Sequence, residues 1–365
     1  MKKVLVLGCT GSIGTSTLNI CRAMPEKFSV CGITCNSKEE ELSSLAKEFS
    51  CKKSLTKSDG TDGIKRLIEE TKPDIVVNGI AGSAGLLPSK IVLESGVNLA
   101  LANKETVVMA WPLINALAHK NGAEIIPVDS EHSAIFNLIN QVGKQNVSQI
   151  VITASGGPFR TLPAEELSKV TVNDALKHPT WSMGKKITID SASLANKGLE
   201  VIEANRLFDM PTDKVQVVIH PQSLVHSLVR TNDGMLYAQI SDPDMKHPIY
   251  SALTYPKNES CYLKPFDLFD YEMTFFKPRY EDFPMLSYAF NAAKNGGSYT
   301  IAYNAANEIA VAEFISGKIK FTQIPELVYS VLEKDWSLEP TSFEDVFEAD
   351  AKARAVAKEQ LKCEL

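Results

Sequence analysis

Lys3-Val4-Leu5-Val6-Leu7 runs directly into Gly8-Cys9-Thr10-Gly11-Ser12-Ile13-Gly14 near the start of the chain. The apolar run reads as a buried strand, the glycines as a tight turn, and the residues after the turn as the opening of a helix. Glycine lets the backbone bend sharply and approach a pyrophosphate, while free N–H groups and the helix dipole supply a positive field. The spacing is G-x-x-G-x-x-G, with Thr10 where a glycine is more usual. A glycine turn alone is a weak signal and also suits a plain βα turn. Further β/α alternation behind it favours a dinucleotide site.

The next expected strand, Phe28-Ser29-Val30-Cys31-Gly32-Ile33-Thr34, bears on the cofactor. An NAD site usually places an acid about 20 residues past the glycines to hold the ribose hydroxyls. Here Thr34-Cys35-Asn36-Ser37-Lys38 offers no acid before Glu39. The amide, hydroxyl and ammonium of Asn36, Ser37 and Lys38 suit a 2′-phosphate, so NADP is favoured over NAD. The competing reading is that Ser37 and Lys38 simply start a solvated helix.

At 365 residues the chain has room for two or three domains. A hydrophobic content of 44% and a charged content of 22% are ordinary for a globular protein. The net charge of −6 argues against a nucleic-acid partner. No apolar run approaches the roughly 18 residues of a membrane span, so no membrane partner is expected. Cytoplasm, or an organelle stroma after loss of a transit peptide, is the expected location. Of seven cysteines, Cys9, Cys21, Cys31, Cys35 and Cys51 crowd into the first third. They lack metal spacing and read as reduced, mostly buried side chains.

Alternating strands and helices over residues 1–122 predict a Rossmann-like, doubly wound parallel sheet. Glu124-Ile125-Ile126-Pro127-Val128 is expected to begin a central α/β catalytic domain over 123–254, with a more open or antiparallel sheet. Residues 255–284, rich in Pro, Phe and Tyr, read as a connecting arm, and 285–365 as a small helical domain.

Four clusters carry chemistry. Val128-Asp129-Ser130-Glu131-His132 ends a strand, where i and i+2 carboxylates share a face and can reach one hard cation. The same spacing also suits a helix N-cap with a first-turn acid behind it. Ile189-Asp190-Ser191-Ala192-Ser193-Leu194-Ala195-Asn196-Lys197-Gly198-Leu199-Glu200 predicts a helix capped by Ser191 or Ser193, with Asn196 and Glu200 on one face. A surface salt bridge is the plain alternative there. Thr153-Ala154-Ser155-Gly156-Gly157-Pro158-Phe159 offers a hydroxyl and glycine N–H groups. Lys177-His178-Pro179-Thr180-Trp181-Ser182-Met183-Gly184 reads as a lid over 177–185, with Trp181 excluding water.

Together with ANKE, IHPQSLVHS and NAANE, these runs closely resemble the 1-deoxy-D-xylulose 5-phosphate reductoisomerase family, in family order and over nearly the full chain. The resemblance implies an NADPH-dependent rearrangement and reduction to 2-C-methyl-D-erythritol 4-phosphate, by retro-aldol cleavage and re-addition or by an α-ketol shift. It implies Asp129, Glu131 and Glu200 as ligands of Mg²⁺ or Mn²⁺, with Co²⁺ a further candidate. It gives Glu131, Lys104 and His178 as catalytic residues. Its substrate set is Lys104, Ser130, Glu131, Ser155, His178, Trp181, Gly184, Ser191, Asn196, Lys197 and Glu200, with Ser191, Asn196 and Lys197 around the phosphate. Its cofactor set is Gly8, Thr10, Gly11, Ser12 and Ile13, with Asn36, Ser37, Lys38, Asn103 and Glu105. The resemblance also implies a homodimer. Cys9 departs from the family's usual serine, and Asn36-Ser37-Lys38 matches its 2′-phosphate segment only loosely. Two other classes fit the residues less well: another two-domain NADP dehydrogenase, and a dinucleotide sensor without catalysis.

Overall fold

The computed structural model describes residues 1–181, 183–269 and 271–363. The chain divides into two compact units. One comprises Met1–Val107, Trp111–Ser133 and Asp244–Phe266, and the other Val108–Ala110, Ala134–Pro243 and the chain from Asp267 onward.

The first unit is built on a six-stranded parallel sheet of β1 (Lys2–Leu7), β2 (Phe28–Cys35), β3 (Lys52–Leu55), β4 (Ile75–Asn78), β5 (Asn98–Leu101) and β6 (Ile125–Pro127). Its order is β3-β2-β1-β4-β5-β6, that of a dinucleotide-binding sheet with its crevice beside β1. Val4 to Leu7 are fully buried, each contributing about 1.5–3 kcal/mol of burial free energy. The crossovers are α1 (Ser12–Ala23), α2 (Glu39–Glu48), α3 (Thr56–Asp59), α4 (Asp62–Thr71), α5 (Leu86–Glu94) and α6 (Lys104–Asn121). Two expectations change. Strand 125–127 pairs in parallel with β5 and closes this sheet, where it was expected to open the second. The unanticipated β3 is Lys-Lys-Ser-Leu, an edge strand with no apolar run to reveal it.

After α7 (Ser130–Val142), the second unit holds a mixed sheet of β7 (Val147–Ala154), β8 (Val215–Ile219), β9 (Val225–Thr231) and β10 (Leu236–Ile240). Its order is β10-β9-β7-β8, with β7 parallel to β8 and antiparallel to β9. The helices α8 (Val172–Ala175), α9 (Lys185–Ala192), α10 (Ala195–Leu207), α12 (Met285–Asn295), α13 (Tyr299–Ile315), α14 (Gln323–Leu332) and α15 (Phe343–Cys363) belong here, whereas α11 (Lys246–Thr254) belongs to the first unit. One core runs from Ile150, Ile152 and Val217 of the sheet to Tyr303, Val311, Val328 and Ala353 of the C-terminal helices. The unit boundaries therefore differ from the four segments expected from the sequence: 285–365 shares its core with the second sheet, and the expected arm is divided at Phe266. Among the described residues, no helix is long and apolar enough to cross a membrane.

Candidate active site

The glycine turn is tied to β2: Gly8 and Cys9 donate backbone N–H groups to Thr34 O at 3.0 and 2.8 Å. Gly8 has φ +78, a left-handed conformation that favours glycine. A Cβ on Gly14 would sit 2.3 Å from Gly8 O and 2.5 Å from Cys9 Cα, so this glycine lets helix and turn pack. Gly11 is different. It precedes α1 without a side-chain cap, and a Cβ there would meet only Gly8 O, at 3.4 Å. The N–H groups of Ser12 and Ile13 open the helix behind Thr10. Cys9 is fully buried, and burial pushes its thiol up to about 12.

Asn36 and Ser37 lie just past the carboxyl end of β2. Lys38 precedes α2, where its exposed ammonium pairs with Glu41 at 2.9 Å. Asn103 caps α6: its Oδ1 accepts from Thr106 N at 2.9 Å, and its Nδ2 donates to Ile80 O and Gly82 O, both at 2.8 Å. It also donates to Glu105 Oε2 at 2.9 Å. The loop after β4 is thereby held at the same end of the sheet as the glycine turn.

Asp129 and Glu131 do not lie on an extended strand end. Asp129 immediately precedes α7, whose first turn contains Glu131. Asp129 Oδ1 accepts from Glu131 N at 3.2 Å and meets His132 Nδ1 at 3.0 Å, and Oδ2 accepts from the buried Lys104 ammonium. Burial works to raise this carboxyl, but Lys104 and His132 outweigh it and hold it well below the usual range. Ser130 Oγ donates to Glu131 Oε2 at 2.5 Å. A ligand oxygen of Asp129 and one of Glu131 lie within 4.8 Å of each other, so the helix-cap geometry still brings two hard donors together.

In the second unit, Ser155, His178 and Ser191 converge. His178 Nε2 lies 3.1 Å from Ser155 Oγ and 3.0 Å from Ser191 Oγ. Its Nδ1 accepts backbone N–H groups from Thr180 and Trp181 at 3.1 and 2.8 Å. Burial lowers the imidazole to about 4, so near neutrality its single proton sits on Nε2, facing the serines. Gly157 packs the two serine segments together, because a Cβ there would stand 2.6 Å from Ser191 O. Trp181 leans on the buried His226, ring centroids 6.4 Å apart, and His226 Nε2 meets Ser241 Oγ at 2.8 Å. Gly184 precedes α9. Ser182 of the expected lid lies outside the described residues. A cavity of about 550 Å³ beside this cluster is lined in part by Ser155, Gly157, Phe159, Lys177 and Pro179.

Neither expected serine immediately precedes the helix bearing Asn196, Lys197 and Glu200, although Ser193 Oγ accepts from Ala195 N, its first N–H, at 3.3 Å. Leu194, at φ +61, precedes α10, and Ser191 belongs to α9. On α10 the buried Lys197 ammonium pairs with Glu200 Oε2, while Asn196 Nδ2 donates to Oε1 at 2.6 Å. This is a buried array and not a surface salt bridge. Asn196 Oδ1 is a buried acceptor with no hydrogen-bond partner, which suits a ligand hydroxyl. His132, His226 and Asp190 lie within the sequence motifs, yet sequence reasoning assigned them no role. Only their burial and their partners, which a linear reading does not contain, single them out.

Models of 1-deoxy-D-xylulose 5-phosphate reductoisomerase match residues 4–59 and 51–111, and models of its C-terminal domains match 125–208 and 240–356. The chain is 51% identical to the reductoisomerase of Treponema denticola, covering 98% of this chain and 96% of that one, and 46% identical to that of Geotalea daltonii, covering 99% and 100%. A crystal structure of DOX-P reductoisomerase in complex with NADPH, fosmidomycin and magnesium superposes with a TM-score of 0.90 at 36% identity, over 99% of this chain and 98% of that one. The Zymomonas mobilis enzyme in complex with NADPH gives 0.89 at 37%, over 99% of each chain. The chain belongs to the 1-deoxy-D-xylulose 5-phosphate reductoisomerase family.

Proposed function

We infer a division of work between the bound groups and the side chains. The chain is an NADPH-dependent oxidoreductase and isomerase that converts 1-deoxy-D-xylulose 5-phosphate to 2-C-methyl-D-erythritol 4-phosphate, in the non-mevalonate route to isoprenoid precursors. Asp129, Glu131 and Glu200 supply the carboxylates of one divalent-cation site. Support for this comes from the hard oxygen pair at the head of α7 and the buried Glu200, a donor set suited to Mg²⁺ or Mn²⁺. When bound, the cation supplies Lewis acidity and NADPH supplies the hydride.

The remaining work falls to side chains of this protein. Lys104 and Lys197 hold positive charge against Asp129 and Glu200, and each contacts substrate oxygens. Ser155, Ser191, Asn196 and Lys197 bind the phosphate, and His178, whose Nε2 faces the two serine hydroxyls, closes over the substrate. Ser130 and Glu131 contact the sugar. Trp181 and Gly184 border the substrate on the lid segment, where Trp181 excludes water. Gly8, Thr10, Gly11, Ser12 and Ile13 take the cofactor pyrophosphate, Asn36, Ser37 and Lys38 its 2′-phosphate, and Asn103 with Glu105 complete the cofactor site. We assign cofactor binding to the first unit and phosphate binding to the second, with 285–365 supporting the second sheet, whose core it shares.

A homodimer in the bacterial cytoplasm completes the proposal. Support for self-association comes from the edge strand β10, whose Leu236, Tyr237 and Ile240 are exposed. The cytoplasm agrees with the bacterial relatives and the free cysteines.

The carrying observation is the carboxylate pair at the head of α7. Glu200→Gln keeps the shape and removes the charge, so turnover should collapse and a higher Mg²⁺ or Mn²⁺ concentration should be needed for what remains. Near-native turnover with an unshifted metal dependence would remove Glu200 from the site.

A further inference from the structure

The NAANE run, Asn304 to Glu308, lies on α13 and takes no part in the binding or chemistry assigned to the site. Asn307 is fully buried there, and its Nδ2 donates to Asp190 Oδ1 at 2.8 Å. Facing a carboxylate, the amide must present its NH₂ group. Asp190 is itself 1% exposed, and its other oxygen pairs with Lys186 Nζ at 2.9 Å. Asp190 adjoins Ser191, whose hydroxyl meets His178. Ser193 Oγ donates to Asp190 O at 3.3 Å at the corner between α9 and α10, beyond which stand Asn196 and Lys197. Gly198 packs this corner onto the same scaffold: a Cβ there would lie 2.6 Å from Tyr303 Oη and 2.7 Å from Ala289 Cβ. A buried carboxylate held from one side by an amide and from the other by an ammonium has one arrangement, and the backbone that carries it is fixed likewise.

We propose that Asn307 and Asp190 are positioning residues for the phosphate subsite. The α13 amide clamps the Asp190 carboxylate and so holds Ser191 and the α9–α10 corner at the geometry that grips the substrate's phosphate. The inference rests on the phosphate reading of Ser191, Asn196 and Lys197. Neither Asn307 nor Asp190 touches the substrate. Their effect is on binding of the anion and not on the bond-making steps.

The test uses the full chain as native enzyme, Asn307→Leu, Asn307→Asp, the exchanged pair Asn307→Asp with Asp190→Asn, and Lys197→Ala. Each is characterised by kcat, by KM for the sugar phosphate and for NADPH, and by Ki for inorganic phosphate as competitor. Loss of a hydrogen bond to a charged group should raise KM for the sugar phosphate and Ki for phosphate together, about tenfold. KM for NADPH should stay within about twofold of native, and the exchanged pair, which rebuilds the amide–carboxylate contact but loses the Lys186 ion pair, should recover part of the loss. A merely structural role lowers the folded fraction and hence kcat, and leaves KM and Ki where they were. That pattern in the single variants overturns the proposal. Should these variants fail to fold, Asn307→Ala decides: a folded protein with Ki raised about tenfold supports the clamp, and a folded protein with native Ki overturns it. Lys197→Ala separates the underlying reading, because an unmoved Ki there would mean that this corner does not bind phosphate at all.

Discussion

His178 carries its proton on Nε2 because two backbone N–H groups occupy Nδ1, and it stays neutral because burial lowers it to about 4. In the unfolded chain the same imidazole takes up its proton near 6.5. Between those values the unfolded state binds more protons, so stability falls as the pH drops from about 6.5 to about 4. Replacing His178 with Gln should flatten that slope in urea melts across the window, and equal slopes in both proteins would refute it. Lys197 makes the second residue-scale prediction. Lys197→Ala removes a charge-assisted contact of about 1.5–3 kcal/mol, so kcat/KM for the sugar phosphate should fall by roughly tenfold to a hundredfold. Affinity for NADPH, measured by fluorescence titration, should hardly change. The N-K-G-L-E array was legible because its three side chains lie three and four positions apart on one helix face. Asp190 and Asn307 were not, since their pairing spans 117 positions.

The strand, turn and helix at residues 2–23 were readable because every constraint on them is local: apolar residues for the strand, glycine where φ is +78, glycine where a Cβ would strike the turn. That separates two glycines experimentally. Gly14→Ala forces a Cβ against backbone and should lower stability by roughly 1–3 kcal/mol. Gly11→Ala meets only an ordinary contact, so the thermal midpoint should stay near native while KM for NADPH rises. If both variants melted alike, the two glycines would not have the separate roles their surroundings give them. Elements that the sequence misplaced are those set by tertiary contacts. Strand β6 looked like the start of a new region because the Asp-Ser-Glu motif comes right after it, yet its partner is β5. The start of α10 is set by a left-handed Leu194, a conformation no sequence pattern announces.

Across the molecule, the class of each sheet was legible in the spacing of strands and helices. The shared core of the second sheet and the C-terminal helices was not, since helical periodicity reports that a face is apolar and not what covers it. Strand β10 raises the same question at the surface: an apolar edge with unpaired backbone groups invites another chain. On the proposed homodimer, Tyr237→Lys on that edge should shift the sedimenting species toward monomer, and an unchanged sedimentation coefficient would contradict an interface at β10. The chain is a metal-dependent, NADPH-consuming reductoisomerase. The most direct test is NADPH absorbance on addition of 1-deoxy-D-xylulose 5-phosphate, with and without chelator. Decay that stops with the chelator and resumes on restoring Mg²⁺ or Mn²⁺ is the expected result; no decay, or decay indifferent to the chelator, would contradict it.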